Sequence, residues 1–246
     1  SIMKKLIKKT ARRLIESFLS KQGYRLQPTN FMHWPTEDKE FQEVCELQSH
    51  FGWSGSVGPK FERMYVVKEL LQLCRKVDGN IAECGVFKGA TSLIISEYVQ
   101  RYGLKSNDKK IILYDSFEGL SEPSAEDDGT VFTCNDYEGS LEEVKNNLAN
   151  YSDIVYRKGW IPTCFEMDQG ESFSFVHIDV DFYEPVKAAL EFFFPRVLAG
   201  GFLVLDDYGS VETPGARTAC DQFCAEHHVP LVKLPNGQAY IHKANE

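Results

Sequence analysis

The chain has 246 residues, 43 % hydrophobic and 13 % aromatic, which suits one covered α/β domain with an extension and excludes a disordered or fibrous class. Its net charge is −9, and six basic residues with no acid among them (Lys4, Lys5, Lys8, Lys9, Arg12, Arg13) fall in the first thirteen positions, leaving −15 for the remainder. So acidic a body is a poor match for a phosphate backbone, and nucleic acid is not an expected partner. No apolar run approaches the roughly 18 residues of a transmembrane helix, and the N-terminus lacks the pattern of a secretory signal. Seven scattered cysteines without a paired framework suit a reducing compartment, so a cytoplasmic protein is expected.

The first segment spaces Ile7, Ala11, Leu14, Ile15, Phe18 and Leu19 as one helical face, with the basic residues opposite. Such a helix packs on its own domain or on a second subunit, which would make a homo-oligomer; contact with an anionic membrane surface is the weaker alternative. Gln27 to Pro59, with Met32-His33-Trp34-Pro35 and Gly52-Trp53-Ser54-Gly55-Ser56, reads as loops or short helices that cover a site. Residues 1–60 are thus expected to form a helical, lid-like extension and 61–246 the domain proper. Glu62 to Lys76 returns to helical spacing through Met64, Val67, Leu70, Leu71 and Cys74. Strands then follow at 80–84, 111–115, 153–157, 173–179 and 202–206, and helices at 89–102, 139–149, 185–197 and 214–227. This alternation specifies a parallel, Rossmann-like sheet with helices on both faces. Pro235-Asn236-Gly237 between two extended runs adds a C-terminal antiparallel hairpin, for seven strands in all.

Glu83-Cys84-Gly85-Val86-Phe87-Lys88-Gly89 leads from an apolar strand through two glycines to a helix start. Gly85 and Gly89 permit a tight turn, and the helix N-terminus offers unpaired N–H groups to a ligand. The turn lacks the lysine of a P-loop, and an acid at Glu83 would oppose a pyrophosphate. That acid suits the ammonium and sulfonium of S-adenosylmethionine instead, although the glycines alone also fit a packing turn. The second strand ends in Asp115, placed to take two ribose hydroxyls or to cap the turn at Ser116-Phe117. Gly159-Trp160 follows the third strand, where the indole either faces the adenine or packs in the core.

The fourth strand runs into His177-Ile178-Asp179-Val180-Asp181, and the fifth ends in Asp206-Asp207. Parallel strands bring these acids to one edge with Glu83 and Asp115. Burying like charges is costly, so the cluster requires a cation, protonation or exposure, and an all-oxygen set favours Mg²⁺ over Zn²⁺. Asp179, Asp206 and Asp207 are the expected ligands, with Asp181 or Glu184 outside them; helix capping without metal is the alternative. His177 shares a face with Asp179 and reads as a satisfied core histidine rather than an acid–base group.

In this ordered combination the chain resembles the macrocin O-methyltransferase family, the macrolide-sugar O-methyltransferases. The resemblance rests on Glu83 to Gly89, Asp115-Ser116-Phe117-Glu118-Gly119-Leu120, His177 to Glu184, Asp206-Asp207-Tyr208-Gly209 and Pro214-Gly215-Ala216-Arg217. It implies a class I methyltransferase that carries a methyl group from S-adenosylmethionine to a sugar hydroxyl with Mg²⁺. It further implies Asp179 as both metal ligand and general base, and Asp206 and Asp207 as the other ligands; Glu83, Gly85, Gly89, Asp115, Ser116, Phe117, Gly159 and Trp160 are the residues expected at the cofactor seat. Related catechol-type enzymes carry a lysine three positions after the first aspartate; that position here is Phe182. The acceptor could be an antibiotic sugar, a polysaccharide, a glycolipid or a nucleotide-linked sugar. N-methylation of an amino sugar or small amine is the enzymatic alternative, and a non-catalytic cofactor- or sugar-binding subunit the alternative of another class.

Overall fold

The computed structural model describes residues 2–22, 32–51, 59–104 and 109–244, so residues 27–31 and 52–58 of the expected lid, Gly52 to Ser56 among them, lie outside the described residues. Two compact units divide at residue 38, Ser1–Asp38 and Lys39–Glu246. The larger therefore takes in part of the segment that sequence punctuation divides off at residue 60. The first unit contains α1 (Ile2–Lys21) and the single turn α2 (Trp34–Glu37), whose start is set by Pro35 in its first turn. No described helix is long and apolar enough to cross a membrane.

The larger unit opens with α3 (Lys39–Glu46) and α4 (Pro59–Leu73) and then alternates: β1 (Asn80–Cys84), α5 (Ala90–Arg101), β2 (Ile111–Asp115), α6 (Leu141–Asn147), β3 (Ile154–Lys158), β4 (Phe173–Ile178), α7 (Tyr183–Phe193), β5 (Val197–Leu205) and α8 (Pro214–His227). It closes with β6 (Val232–Lys233) and β7 (Ala239–His242). The strand order is β3-β2-β1-β4-β5-β7-β6, parallel except where β7 pairs antiparallel with β5 and β6. This is the seven-stranded sheet that the alternating pattern and terminal hairpin predict. Central strands β1 and β4 are buried along their whole length, because helices cover both faces.

Period-two geometry decides which face each residue serves. Ile81, Leu113, Phe175 and Val204 belong to the core with α3, α4 and α5, through Phe41, Met64, Val67, Leu71, Ile94 and Tyr98. Ala82, Ile112, Val176 and Leu203 pack with α7 and α8, where Phe165, Phe192, Phe193 and Phe223 concentrate. Aromatic pairs such as Phe165 with Phe192, stacked at 4.6 Å, add to the area term there. Glu83 and His177 are paired across β1 and β4 and have the parity of Ile81 and Phe175. Their side chains therefore enter the face covered by α4 and α5.

Within the alternating part, β5 and α7 begin earlier than the sequence pattern indicates. β5 starts at Val197 because Gly201 lets its backbone run against the Ser174 carbonyl, 2.6 Å from where a Cβ would stand. α7 starts at Tyr183 because its N–H donates to Asp127 Oδ1 at 2.8 Å, a cap supplied from 56 residues away.

Candidate cofactor and metal site

The turn after β1 is held from two sides. Gly85 (φ +84) lies so close to the end of β4 that a Cβ would stand 1.8 Å from the Asp179 carbonyl oxygen. Asp179 N–H donates to the Cys84 carbonyl at 2.9 Å, which fixes that approach. Gly89 (φ +85) is the residue before α5, in the left-handed conformation that aims the helix start at the turn. Between them, Val86 N–H and Phe87 N–H donate to Asp115 Oδ2 at 2.6 and 2.9 Å, while Phe117 N–H donates to Oδ1 at 2.6 Å. Asp115 thus shapes the crevice from the end of β2, and Oδ1 keeps acceptor capacity beyond its one N–H.

The other expected cofactor residues gather around this point. Ser116 Oγ donates to the Gly119 carbonyl and accepts from Glu118 N–H, so it stabilises its own turn. Phe117 is buried at φ +57, in the core on the α5 side. Gly159 N–H donates to the Asp115 carbonyl at 2.9 Å, which brings the 39 % exposed Trp160 alongside. Glu83 stands apart from these: it is 1 % exposed, accepts from Ser92 Oγ on α5 and lies 3.2 Å from His177 Nδ1. Its carboxylate sits beneath the turn, and burial raises its pKa against those hydrogen bonds.

His177, with no exposed surface, joins this pocket to the acidic edge. Its Nε2 lies 3.1 Å from Asp206 Oδ1, which also accepts from Gln238 Nε2 at 2.7 Å. Burial disfavours the imidazolium, but hydrogen bonds and charge from Asp206 and Glu83 outweigh it and push the pKa up to about 10. Asp206 keeps the parity of Val204, and Asp179 that of His177. Both therefore emerge on the face that α4 covers.

There α4 supplies two cations. Lys60 Nζ donates to Asp179 Oδ2 and, at 3.2 Å, to Asp206 Oδ2; Arg63 Nη1 lies 2.6 Å from Asp206 Oδ2 and 3.3 Å from Asp207 Oδ1. Burial favours a neutral Asp206, yet Lys60, Arg63 and His177 hold its pKa well below the usual carboxylate range. Asp207 moves the opposite way, raised by burial and by repulsion from Asp181, Asp179 and Asp206. Asp181, at φ +57 just past the strand, is pushed up to about 7 by burial and by Asp179. Sequence reading had not singled out Lys60, Arg63 or Gln238. The usable signal was the acidic surplus itself, which demands cations, and the three-residue spacing of Lys60 and Arg63 on one helix face.

The residues fit a hard divalent ion. His177, Asp179 and Asp206 offer ligand atoms within 4.8 Å of one another, and buried Asp207 Oδ2 has no hydrogen-bond partner among the described residues. With His177 Nε2 turned to Asp206, the oxygen donors are Asp179, Asp206 and Asp207. Along one side of this edge run Phe87, Phe132 and Tyr137, with ring centroids 5.6 Å apart for Phe87–Tyr137 and 5.4 Å for Phe132–Tyr137. The segment that carries Phe132 and Tyr137 is tied down at Asp127 and by Thr130 Oγ1 donating to the Glu212 carbonyl at 2.8 Å.

Comparison with known proteins agrees with this architecture. The solved structure of the O-methyltransferase NovP superposes with a TM-score of 0.68 over 75 % of this chain and 81 % of that one, at 21 % identity, a likeness of fold. Among curated relatives, 8-demethyl-8-(2,3-dimethoxy-alpha-L-rhamnosyl)-tetracenomycin-C 4'-O-methyltransferase of Streptomyces olivaceus is 27 % identical over 142 residues, 54 % of each chain. Mycinamicin III 3''-O-methyltransferase of Micromonospora griseorubida is 24 % identical over 165 residues, 62 % of this chain and 63 % of the relative. The chain thus spans between about half and two thirds of the curated relatives it matches. The family model for macrocin-O-methyltransferase (TylF) matches residues 55–242, from just before α4 to the end of β7, and the chain belongs to that family.

Proposed function

We propose that the protein transfers the methyl group of S-adenosylmethionine to a hydroxyl of a sugar, with Mg²⁺ held by Asp179, Asp206 and Asp207. The observation that carries this reading is the convergence of three carboxylates from the ends of β4 and β5 beside the glycine turn of β1. Family membership supports methyl transfer, and the relatives' names, a rhamnosyl tetracenomycin and a mycinamicin among them, support a sugar acceptor.

Gly85, Gly89 and the α5 N-terminus form the floor on which the cofactor lies. The remaining acceptor capacity of Asp115 Oδ1 suits a ribose hydroxyl, and Trp160 suits the adenine face. Glu83 contributes from below the turn, by holding Ser92 and His177. His177 and Gln238 orient Asp206, so that its other oxygen faces the acidic edge. Asp179 accepts the proton of the acceptor hydroxyl as that oxygen attacks the methyl group in line, the bond from sulfur to methyl breaks and S-adenosylhomocysteine leaves. Mg²⁺ held by Asp179, Asp206 and Asp207 would supply Lewis acidity to the acceptor hydroxyl. The Phe87, Phe132 and Tyr137 rings offer apolar faces to the C–H side of a pyranose.

The test is titration calorimetry with S-adenosylmethionine, followed by a methyl-transfer screen of free and nucleotide-linked sugars with Mg²⁺ or with EDTA. Cofactor binding, EDTA-sensitive turnover and its loss in Asp206→Asn are expected. No cofactor binding would overturn the reading, and turnover indifferent to EDTA would remove the metal from it.

A further inference from the structure

The three carboxylates assigned to the metal are strung together by two nitrogens of α4. The chain of contacts runs from Asp179 Oδ2 through Lys60 Nζ to Asp206 Oδ2, then through Arg63 Nη1 to Asp207 Oδ1. Both cations meet on one oxygen, Asp206 Oδ2, at 3.2 Å from Lys60 and 2.6 Å from Arg63. A divalent ion bridging Asp179 and Asp206 through these oxygens would come to the point that the Lys60 ammonium fills. Two cations cannot share that point, because their repulsion is strongest where water is scarce.

We propose that Lys60 is the resident counter-ion of the acidic site and is displaced by the divalent ion, while Arg63 remains on Asp207. The inference rests on the metal reading above. The two side chains differ in the way this exchange needs. Lysine carries a compact ammonium on a flexible four-carbon stem, which withdraws without breaking a planar fork. Arginine is stiffer, and Arg63 also contacts Asp207, 3.3 Å from its Oδ1. The arrangement also explains how three carboxylates are assembled while the chain folds. Lys60 neutralises Asp179 and Asp206 until the ion arrives, and no buried like-charge cluster is left bare.

Two measurements on the full chain, without cofactor or acceptor, test the exchange. In the first, the wild-type protein is acetylated with an amine-reactive ester, with and without Mn²⁺, and the rate at Lys60 is read by mass spectrometry. Slow labelling that accelerates with Mn²⁺ is expected; a rate that Mn²⁺ leaves unchanged, in a protein shown by calorimetry to bind Mn²⁺, overturns the proposal and leaves the metal reading intact. In the second, Mn²⁺ affinity is compared among wild type, Lys60→Met and Lys60→Arg. Removal of the competing charge should tighten binding in Lys60→Met by about tenfold or more, while Lys60→Arg stays near wild type or weaker. Equal or weaker affinity in Lys60→Met refutes the exchange, and absence of Mn²⁺ binding in all three removes the metal reading together with it. Should Lys60→Met fail to fold, the labelling of the wild type decides alone.

Discussion

Gly85 and Gly89 share a backbone conformation, φ +84 and +85, but differ in what surrounds them, and that contrast gives a sharp test of how the turn supports the site. Alanine at Gly89 meets only Val144 Cγ1 at 3.4 Å and Leu148 beyond it, so the cost reduces to the left-handed backbone, about 1–2 kcal/mol. For a chain of this size that lowers Tm by roughly 2–8 °C. Alanine at Gly85 bears the same backbone cost and also drives its Cβ to 1.8 Å from the Asp179 carbonyl oxygen. The peptide of Asp179 must retreat by more than about 1 Å, which adds overpacking of about 1–3 kcal/mol. The retreat also moves the first carboxylate of the site away from the turn, and a displacement of this size costs about 10²-fold in rate. Thermal melts and methyl transfer on the two variants, side by side, are the assay. At saturating cofactor Gly89→Ala should lose less turnover than Gly85→Ala, which should lose about two orders of magnitude and melt lower. If the two variants match in turnover and Tm, the close approach does not position Asp179 and the reasoning fails.

Other perturbations follow from the same geometry. Tyr137, 44 % exposed beside the acidic edge, should act mainly on acceptor binding. Tyr137→Ala is expected to raise KM for a methylated acceptor by roughly five- to tenfold, about 1 kcal/mol, with Tyr137→Phe near wild type; a change in kcat alone would argue against an acceptor wall. Asp168 is buried on the far face of the sheet, where it accepts two 2.8 Å hydrogen bonds from Arg157 and one of 2.9 Å from Tyr114. Asp168→Ala strands a partly buried guanidinium and should cost about 3 kcal/mol, a Tm lower by roughly 6–12 °C; a shift under about 2 °C would show that solvent replaces the carboxylate there.

Much of the larger unit was readable because its signals are local. Alternation of apolar runs with amphipathic ones placed β1 and β2 at their observed residues and β3 and β4 within a residue of theirs, and Pro235-Asn236-Gly237 announced the hairpin. What failed locally failed for tertiary reasons. The start of α7 depends on Asp127, which stands 56 residues earlier, and the start of β5 depends on the close approach of Gly201 to Ser174. The expected cofactor residues behave similarly. Asp115 was singled out by its place at a strand end, yet its tie to the Val86 and Phe87 amides exists only because β1 and β2 are neighbours in register.

The amino-acid sequence alone determined the fold class, the position of the glycine turn and the identity of the acids at the ends of β4 and β5, because periodicity and turn chemistry are encoded within a few residues. It also put His177 and Asp179 on one face by their spacing of two, while the strand register that adds Glu83 and Asp206 to that face belongs to the tertiary structure. Only the tertiary structure decided what meets them there. Lys60 and Arg63 come from a helix more than a hundred residues before their carboxylate partners, and Gln238 from the hairpin after them. Charge balance in a buried cluster is a property of the assembled site. The sequence states the need for cations, and the packing of α4 over the sheet chooses which ones answer it.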